Sequence, residues 1–345
     1  MAMTGPQIFT TTPFAALGHA GALFAELEAS GYDGAFSYET SHDPFLPLAL
    51  AAERTTRLRL GTAIAIAFAR TPMTVANVAF DLQEISGGRF TLGLGSQIRP
   101  HIQNRYSMPW SRPAARMREY VLAIRAIWDD WDGVAPLHFE GEFYRHTLMT
   151  PAFAPGPHRF GRAGIHIAGV GPGMTEVAGE VGDGIMIHPF NTRRSLLELT
   201  MPAIERGRAK AAAPGSGFER VVVCLLATGA TGADLDEAIA VVRKQLAFYG
   251  STPAYRPVLE VHGWEGVHAA LNSRSKQGRW DDMADLVTDE MLETIAVVGT
   301  RAEIPALIAA KTAGVADTVS IECVRRPDPQ HFADIVSGVR DLFGA

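Results

Sequence analysis

Short apolar runs alternate along the whole chain with segments in which apolar residues recur every three or four positions. The apolar runs predict eight strands, at residues 7–11, 34–39, 57–66, 90–95, 165–168, 185–187, 220–227 and 318–323. Segments with helical spacing follow nearly all of them, for example residues 14–29 and 72–86, and residues 251–289 are predicted to be irregular with short helical pieces. Because strands that alternate with helices pair in parallel, the pattern predicts a parallel α/β fold.

The number of strands narrows the fold class. Eight βα units in 345 residues match a TIM barrel, the (β/α)8 fold, with insertions. We therefore predict one barrel domain over residues 1–345, with insertions at about 96–111, 132–163 and 251–289. A doubly wound sheet is the alternative. Such a sheet usually carries a glycine fingerprint after its first strand, and Thr12-Pro13-Phe14 has no such pattern.

Composition excludes several classes of partner. With 47% hydrophobic and 20% charged residues, the chain has a normal soluble globular composition. A formal charge of −6 argues against nucleic acid or an anionic membrane as the main partner. No apolar run approaches the roughly 18–20 residues that cross a bilayer. The first residues do not resemble a signal peptide, and Cys224 and Cys323 are predicted to be buried free thiols. We expect a cytoplasmic protein whose main partner is neither nucleic acid nor a membrane.

Residues 164–189 combine a strand, a glycine loop, a helix and a second strand, GIHIAGVGPGMTEVAGEVGDGIMIHP. The loop is Gly169-Val170-Gly171-Pro172-Gly173, and the second strand ends at His188. Glycines let backbone N–H groups approach a ligand closely, and a helix N-terminus attracts phosphate. The segment thus fits a phosphorylated cofactor beside an ionisable imidazole, although an ordinary tight βα turn would have the same pattern.

In a TIM barrel the chemistry lies where the strands run into their following loops. The side chains at these predicted ends are Glu39 and His42 after strand two, Ala63 and Ile64 at strand three, Ser96, Gln97 and His101 after strand four, His188 after strand six and Glu322 at strand eight. They lack the paired histidines of a TIM-barrel metal site. The chain has no Gly-x-Ser-x-Gly motif, and both cysteines lie within predicted strands, which argues against nucleophilic catalysis.

A flavin-like cofactor fits these strand ends better. Such a ligand needs an apolar wall for its ring and N–H donors for its phosphate. The wall would be formed by Ala63, Ile64 and Met186, and the phosphate donors by Gly169, Val170 and Gly171. Arg99, His101 and Arg105 are further candidates for anionic groups, with a solvated loop as the alternative. The alternative for His188 is a hydrogen-bonded structural histidine.

Several segments together resemble the luciferase-like monooxygenase superfamily, in particular its coenzyme F420-dependent oxidoreductase branch. They are GYDGAFSYET with PFLPLALAAERTTRLRLGTAI, SGGRFTLGLGSQ, AGVGPGMTEVAGEVGDGIMIHPF, and VVGTRAEIPALI with GVADTVSIE. The resemblance implies a bacterial-luciferase-like barrel, usually a homodimer, and a cis peptide bond between Ala63 and Ile64 beneath the deazaflavin ring. It is less specific for the cofactor, because users of flavin mononucleotide (FMN) share the barrel.

The resemblance also implies roles for individual residues. By position these are Glu39 as the acidic residue after strand two, Ser96, Gln97 and His101 as cofactor contacts, and Gly169, Val170, Gly171 and Pro172 as the phosphate loop. Glu39-Thr40 stands where well-studied deazaflavin dehydrogenases often have Asp-His. Ile98 stands where the glucose-6-phosphate dehydrogenases of this branch have glutamate. A sugar-phosphate reaction is therefore not expected, and acid–base catalysis would fall to His42, His188 or Glu39.

The resemblance and the strand-end residues together predict an oxidoreductase that moves a hydride between coenzyme F420 and a small organic substrate. The redox chemistry would belong to the cofactor, with the protein holding ring and substrate together. One alternative is an FMN-dependent monooxygenase fed by a separate flavin reductase. Another is a non-catalytic flavin-binding protein of the same superfamily. The substrate is expected to contact residues 96–111 and 251–289.

Overall fold

Eight parallel strands close into a barrel. The computed structural model describes residues 5–12, 17–212, 217–323 and 329–344. The strands within these residues are β1 Gln7–Thr12, β2 Gly34–Ser37, β3 Arg59–Thr62, β4 Ala65–Ile66, β5 Phe90–Gly95, β6 Phe139–Glu140, β7 Arg145–His146, β8 Gly164–Gly169, β9 Gly184–Ile187, β10 Glu219–Ala227, β11 Val297–Val298 and β12 Thr318–Cys323. The pairing order β1-β2-β3-β5-β8-β9-β10-β12 returns to β1, and every pair in it is parallel. The predicted TIM barrel is confirmed.

Helices follow the barrel strands and surround them. They are α1 Ala20–Ala29, α2 Leu46–Arg54, α3 Pro72–Ile85, α4 Pro113–Trp131, α5 Pro172–Val181, α6 Arg193–Ser195, α7 Met201–Arg208, α8 Gly232–Gly250, α9 Arg256–Glu260, α10 Glu265–Lys276, α11 Asp289–Ile295, α12 Ile304–Thr312 and α13 Pro329–Gly344. The residues at the N-terminus of a helix determine where it begins. At α3, the Thr71 hydroxyl accepts a hydrogen bond from the Thr74 N–H, and Pro72 occupies the first helical position, where its missing N–H leaves no bond unmade.

The barrel strands bury side chains on both faces. Residues on one face fill the barrel centre, and those on the other face pack beneath the helices. The centre contains Phe9, Phe36, Met186 and Val221. Gly93 also faces this centre, where a Cβ atom would overlap the Thr62 carbonyl oxygen and lie 2.7 Å from the Met186 sulfur. The packing therefore requires glycine at this position.

Three segments differ from the predicted elements. The predicted strand 57–66 is divided into β3 and β4, and between them Ala63–Ile64 is a cis peptide bond, as the resemblance implies. The predicted helix 14–29 includes residues 14–16, which lie outside the described residues; a 3-10 turn at Leu17–His19 precedes α1. Residues 251–289, predicted to be irregular, contain the 12-residue helix α10. Because α10 buries only His268 and Leu271, its apolar period is too weak to see in the sequence.

A second hydrophobic cluster lies apart from the main one. It joins α8, α9, α10 and α11, and we call these four helices the roof. Its members include Val242, Leu246, Leu259, Leu271 and Met291, together with Phe190 from the segment after β9. The roof therefore has its own small core, which is anchored to the barrel next to the end of β9. No helix in the described part of the chain is long and apolar enough to cross a membrane.

Candidate active site

The carboxyl ends of the barrel strands meet at one end because the strands are all parallel. There the strand register turns four residues toward the barrel axis: Tyr38 after β2, Ala63 after β3, His188 after β9 and Glu322 in β12. We call this ring the mouth. Ala63 and Ile64 pack against the cluster at the barrel centre. The floor of the mouth is therefore apolar, while its rim carries groups that can exchange protons.

Glu39 is held by three donors. Its Oε2 accepts hydrogen bonds from the Ile66 N–H at 2.8 Å and from Arg70 Nη1 at 2.7 Å, and its Oε1 accepts one from the Tyr106 hydroxyl at 2.9 Å. The residue is only 9% exposed. Burial alone would lower the pKa of Arg70, but its hydrogen bonds to Glu39 and Asp43 raise it. The carboxylate thus ties the segment after β2 to β4 and to the loop after β5, which suits a positioning role.

His188 is a neutral imidazole in an aromatic setting. The Phe190 N–H donates to its Nδ1 at 3.1 Å, so the ring proton lies on Nε2, which is 3.1 Å from the Tyr255 hydroxyl. Tyr255 stacks on the ring with centroids 4.4 Å apart, and Tyr249 packs edge-on at 4.5 Å. Burial lowers the pKa of His188 to about 3. His188 therefore donates a hydrogen bond to Tyr255 and does not carry a charge at neutral pH.

Glu322 carries a carboxyl group to which the described ranges provide no polar partner. No hydrogen bond or ion pair joins it to any residue in the described ranges. Burial raises its pKa to about 7. Burial also raises the pKa of Tyr249, and the Glu322 charge adds to that effect. This carboxyl group can gain or lose a proton at neutral pH.

The glycine loop forms an open helix N-terminus. Gly169 ends β8, Gly171 precedes α5, and no side chain caps the first turn of the helix. A Cβ atom on Gly171 would meet nothing within 4 Å, and one on Gly173 would meet only the Ala114 Cβ at 3.9 Å. Neither packing nor backbone angle requires glycine at 171, where φ is −86°. The space above the loop can therefore admit an anionic group, which the helix dipole would stabilise.

The loop after β5 contributes Ser96, Gln97 and His101. The Ser96 hydroxyl donates to the Gln97 carbonyl oxygen at 3.1 Å, and Gln97 adopts a left-handed φ of +58°. Such a conformation is uncommon for a residue other than glycine and clusters at functional sites. His101 begins a short π-helical turn, His101–Arg105, and its buried Nδ1 has no hydrogen-bond partner among the described residues. The loop thus contains a buried polar atom, His101 Nδ1, that could form a hydrogen bond with a ligand.

His42 differs from the other predicted site residues because its side chain is exposed. It lies in the bend between β2 and α2, and within the described ranges no hydrogen bond or ion pair involves it. Its neighbour Asp43 pairs instead with Arg70 Nη2 at 2.8 Å. The structure therefore joins His42 to neither Glu39 nor His188 by a hydrogen bond or an ion pair.

Sequence reasoning missed Tyr249 and Tyr255 and gave Glu322 no role. Glu322 carries a signal, since it is an acidic residue at the end of a predicted barrel strand. Nothing in the sequence pattern marks Tyr249 and Tyr255 as site residues, because they contact His188 from a segment that is distant along the chain. In the described residues, no group of three or more His, Cys, Asp or Glu side chains is arranged to hold a metal ion.

A phosphorylated flavin-like cofactor fits the residues present. The open α5 N-terminus would take its phosphate, and the apolar floor formed by Ala63 and Ile64 would take its ring. Met186 belongs to the same apolar cluster. The unpartnered His101 Nδ1 is available to a polar edge of the ligand.

Comparisons with known proteins agree with this geometry. The profile of a family described as luciferase-like monooxygenase matches residues 1–318. An uncharacterized protein of Mycobacterium tuberculosis is 53% identical over 293 residues, which are 85% of this chain and 86% of that protein. The 5,10-methylenetetrahydromethanopterin reductase of Archaeoglobus fulgidus is 31% identical over 284 residues, covering 79% and 80%. Among solved structures, the coenzyme F420-dependent tetrahydromethanopterin reductase of Methanopyrus kandleri superposes with a TM-score of 0.80 at 20% identity, over 99% of this chain and 100% of that one.

Proposed function

Because the chain belongs to the luciferase-like monooxygenase family, we propose that it is a coenzyme F420-dependent oxidoreductase. It would transfer a hydride between the deazaflavin and a small organic substrate. The observation that carries the proposal is the open N-terminus of α5 beside an apolar floor at the carboxyl end of the barrel. The 31% identical relative is a methylenetetrahydromethanopterin reductase, and the reductase of this type from Methanopyrus kandleri uses F420. These names favour F420 over FMN.

Each predicted cofactor residue has a place in this proposal. The phosphate loop consists of Gly169, Val170, Gly171 and Pro172, the floor of Ala63, Ile64 and Met186, and the polar edge of Ser96, Gln97 and His101. When bound, the deazaflavin would supply the hydride chemistry. Glu39 would keep the segment after β2 in position through Arg70 and Tyr106. His188, as a neutral donor, would fix the Tyr255 hydroxyl over the mouth.

The test is a fluorescence titration of the purified protein with F420 and, separately, with FMN. We expect saturable binding of F420 only. Gly171→Ala would place a methyl group in the open space over the loop and weaken F420 binding by about tenfold or more, roughly 1.4 kcal/mol. Gly164→Ala is the matched control, because its Cβ also meets nothing within 4 Å but lies at the start of β8, the opposite end of the barrel. Absence of saturable F420 binding would refute the proposal.

The second candidate is an FMN-dependent monooxygenase supplied by a separate reductase. The description of the matching family favours it. Saturable FMN binding, with oxygen consumption by the protein and reduced FMN, would select this function instead. A non-catalytic flavin-binding protein would bind a cofactor without turnover of any substrate. The homodimer implied by the family resemblance is part of the main proposal, and light scattering in solution would test it.

A further inference from the structure

Hydride transfer to or from a carbon–oxygen or carbon–nitrogen bond also requires a proton. This inference rests on the proposed function, since it concerns the group that handles that proton. Such a group must lie at the mouth, change charge near the working pH, and be free of fixed partners. Besides the Tyr38 phenol, the mouth and its roof offer five titratable groups in the described residues: Glu39, His188, Tyr249, Tyr255 and Glu322.

Four of these groups are unsuited to the task. Both oxygens of Glu39 are occupied by the Ile66 N–H, Arg70 and Tyr106. His188 stays neutral because burial lowers its pKa to about 3, so it has no proton to give as an acid. Burial raises the pKa of Tyr255 to about 12, and burial together with the Glu322 charge raises that of Tyr249. These tyrosines are therefore hydrogen-bond donors.

Glu322 satisfies the geometric requirements. In β12, Ser320 pairs with Phe9, a residue at the barrel centre, so Glu322 points to the same side two residues nearer the mouth. Its register partner on β10 is Leu225, which is apolar and cannot compete for the carboxyl group. We propose that Glu322 is the catalytic acid–base residue, which gives the proton to the substrate during reduction and takes it during oxidation.

The charges around Glu322 support this role. The titratable groups facing it in the described residues are Tyr249 from α8, Tyr38 after β2, and His188 with its partner Tyr255. His188, Tyr249 and Tyr255 are neutral at pH 7, and Tyr38 is not a cationic residue, so none of these four side chains stabilises the carboxylate with a positive charge. Burial raises the pKa of Glu322 to about 7 as a result. A general acid–base residue is most effective when its pKa lies near the operating pH.

The step balances for an alcohol substrate. During oxidation, the O–H bond breaks and its proton moves to a Glu322 carboxylate oxygen. The C–H bond would break as well, and its electron pair would leave with the hydrogen as hydride, for which a bound deazaflavin would be the acceptor. The alcohol carbon would thereby be oxidised to a carbonyl. In the reverse direction, reduced deazaflavin would supply the hydride to the carbonyl carbon, while Glu322 gives its proton to the carbonyl oxygen and then takes a proton from solvent.

The first test needs no substrate. Infrared spectra of the protein, recorded from pH 4 to pH 9, would follow the C=O band of protonated carboxyl groups. We expect a band that disappears with a midpoint near pH 7. The band would be absent from Glu322→Gln and retained in Glu53→Gln, a control at an exposed glutamate of α2. A midpoint below pH 5, or a band that survives in Glu322→Gln, would overturn the proposal.

The second test measures turnover. Reduced F420 is mixed with a panel of aldehydes, ketones and imines, and the acceptor with the highest rate is used for pH profiles. Glu322→Gln should lower kcat by about 100-fold or more, with little change in F420 affinity, and should remove the pH dependence near neutrality. Glu322→Asp should restore part of the rate and the pH dependence. An unchanged kcat in Glu322→Gln would overturn the catalytic role of Glu322. Failure of the wild-type protein to bind F420 would instead refute the proposed function, and the infrared result for Glu322 would remain valid.

Discussion

Replacing Glu39 with alanine separates a structural role of this carboxylate from a catalytic one. The change removes the acceptor of three hydrogen bonds at once: from the Ile66 N–H at 2.8 Å, Arg70 Nη1 at 2.7 Å and the Tyr106 hydroxyl at 2.9 Å. The buried Ile66 N–H would then lack a partner. Arg70 would keep its ion pair with Asp43, whose side chain is 39% exposed, and a long hydrogen bond of 3.4 Å to the Ile66 carbonyl oxygen.

The expected cost follows from these contacts. A buried donor left without a partner costs about 1–3 kcal/mol, and breaking a buried ion pair costs about 3–5 kcal/mol. The second figure must be reduced, because Arg70 is 21% exposed and still pairs with Asp43. The Tyr106 hydroxyl is half-buried and can turn to water. We expect a loss of about 3 kcal/mol, which lowers Tm by roughly 5 °C in a chain of this size.

Thermal unfolding followed by circular dichroism measures this loss. Asp43→Asn is the matched control, because it removes the exposed partner of the same arginine and keeps an oxygen to accept from the Phe45 N–H. We expect that control to cost less than about 1 kcal/mol. If Glu39→Ala unfolds at the same temperature as Asp43→Asn, the anchoring role is refuted, and Glu39 becomes available for proton transfer, as the sequence suggested.

Two further predictions concern burial. Burial lowers the pKa of His188 from its ordinary value of 6.5 to about 3, so between these values the unfolded chain binds a proton that the folded chain does not. Stability should therefore decrease as the pH falls from 6.5 toward 3, and His188→Gln should show a shallower decrease in urea midpoint; parallel curves would contradict this. Gly93→Ala should give little soluble folded protein, because its Cβ overlaps the Thr62 carbonyl oxygen and crowds Met186. A normal circular dichroism spectrum of Gly93→Ala would disprove that packing argument.

The barrel was predictable because its strands and helices are each marked by the residues within them. Two strands were predicted with the observed bounds, Phe90–Gly95 and Thr318–Cys323, since each is a short apolar run between clear turn or polar residues. The glycine loop was equally visible, although α5 begins at Pro172, within the segment that was predicted to be loop, because proline suits the first position of a helix. By contrast, α10 was not predicted as a helix of this length, because it buries few apolar residues and its sequence therefore shows little helical periodicity of apolar positions.

The chemistry of the site depends on contacts between distant residues, which the sequence pattern does not encode. Glu39 meets Arg70 and Tyr106, which are 31 and 67 residues away along the chain. Tyr255 meets His188 across 67 residues. The pKa of about 7 for Glu322 likewise comes from burial in the assembled mouth. The sequence can therefore identify candidate residues at the strand ends, but the protonation states of their side chains can be inferred only from the folded structure.

The separate core of the roof has a consequence for how such a protein can change. The helices α8–α11 are stabilised by their own cluster, whereas the α5 loop depends on the main cluster around the barrel. Substitutions that reshape the roof around Leu259 and Leu271 leave the packing beneath Gly171 untouched. The part of the barrel that is proposed to bind the cofactor can thus be combined with different covering helices, so that a new substrate preference could be introduced by grafting a segment of about 60 residues, on the order of half a typical domain.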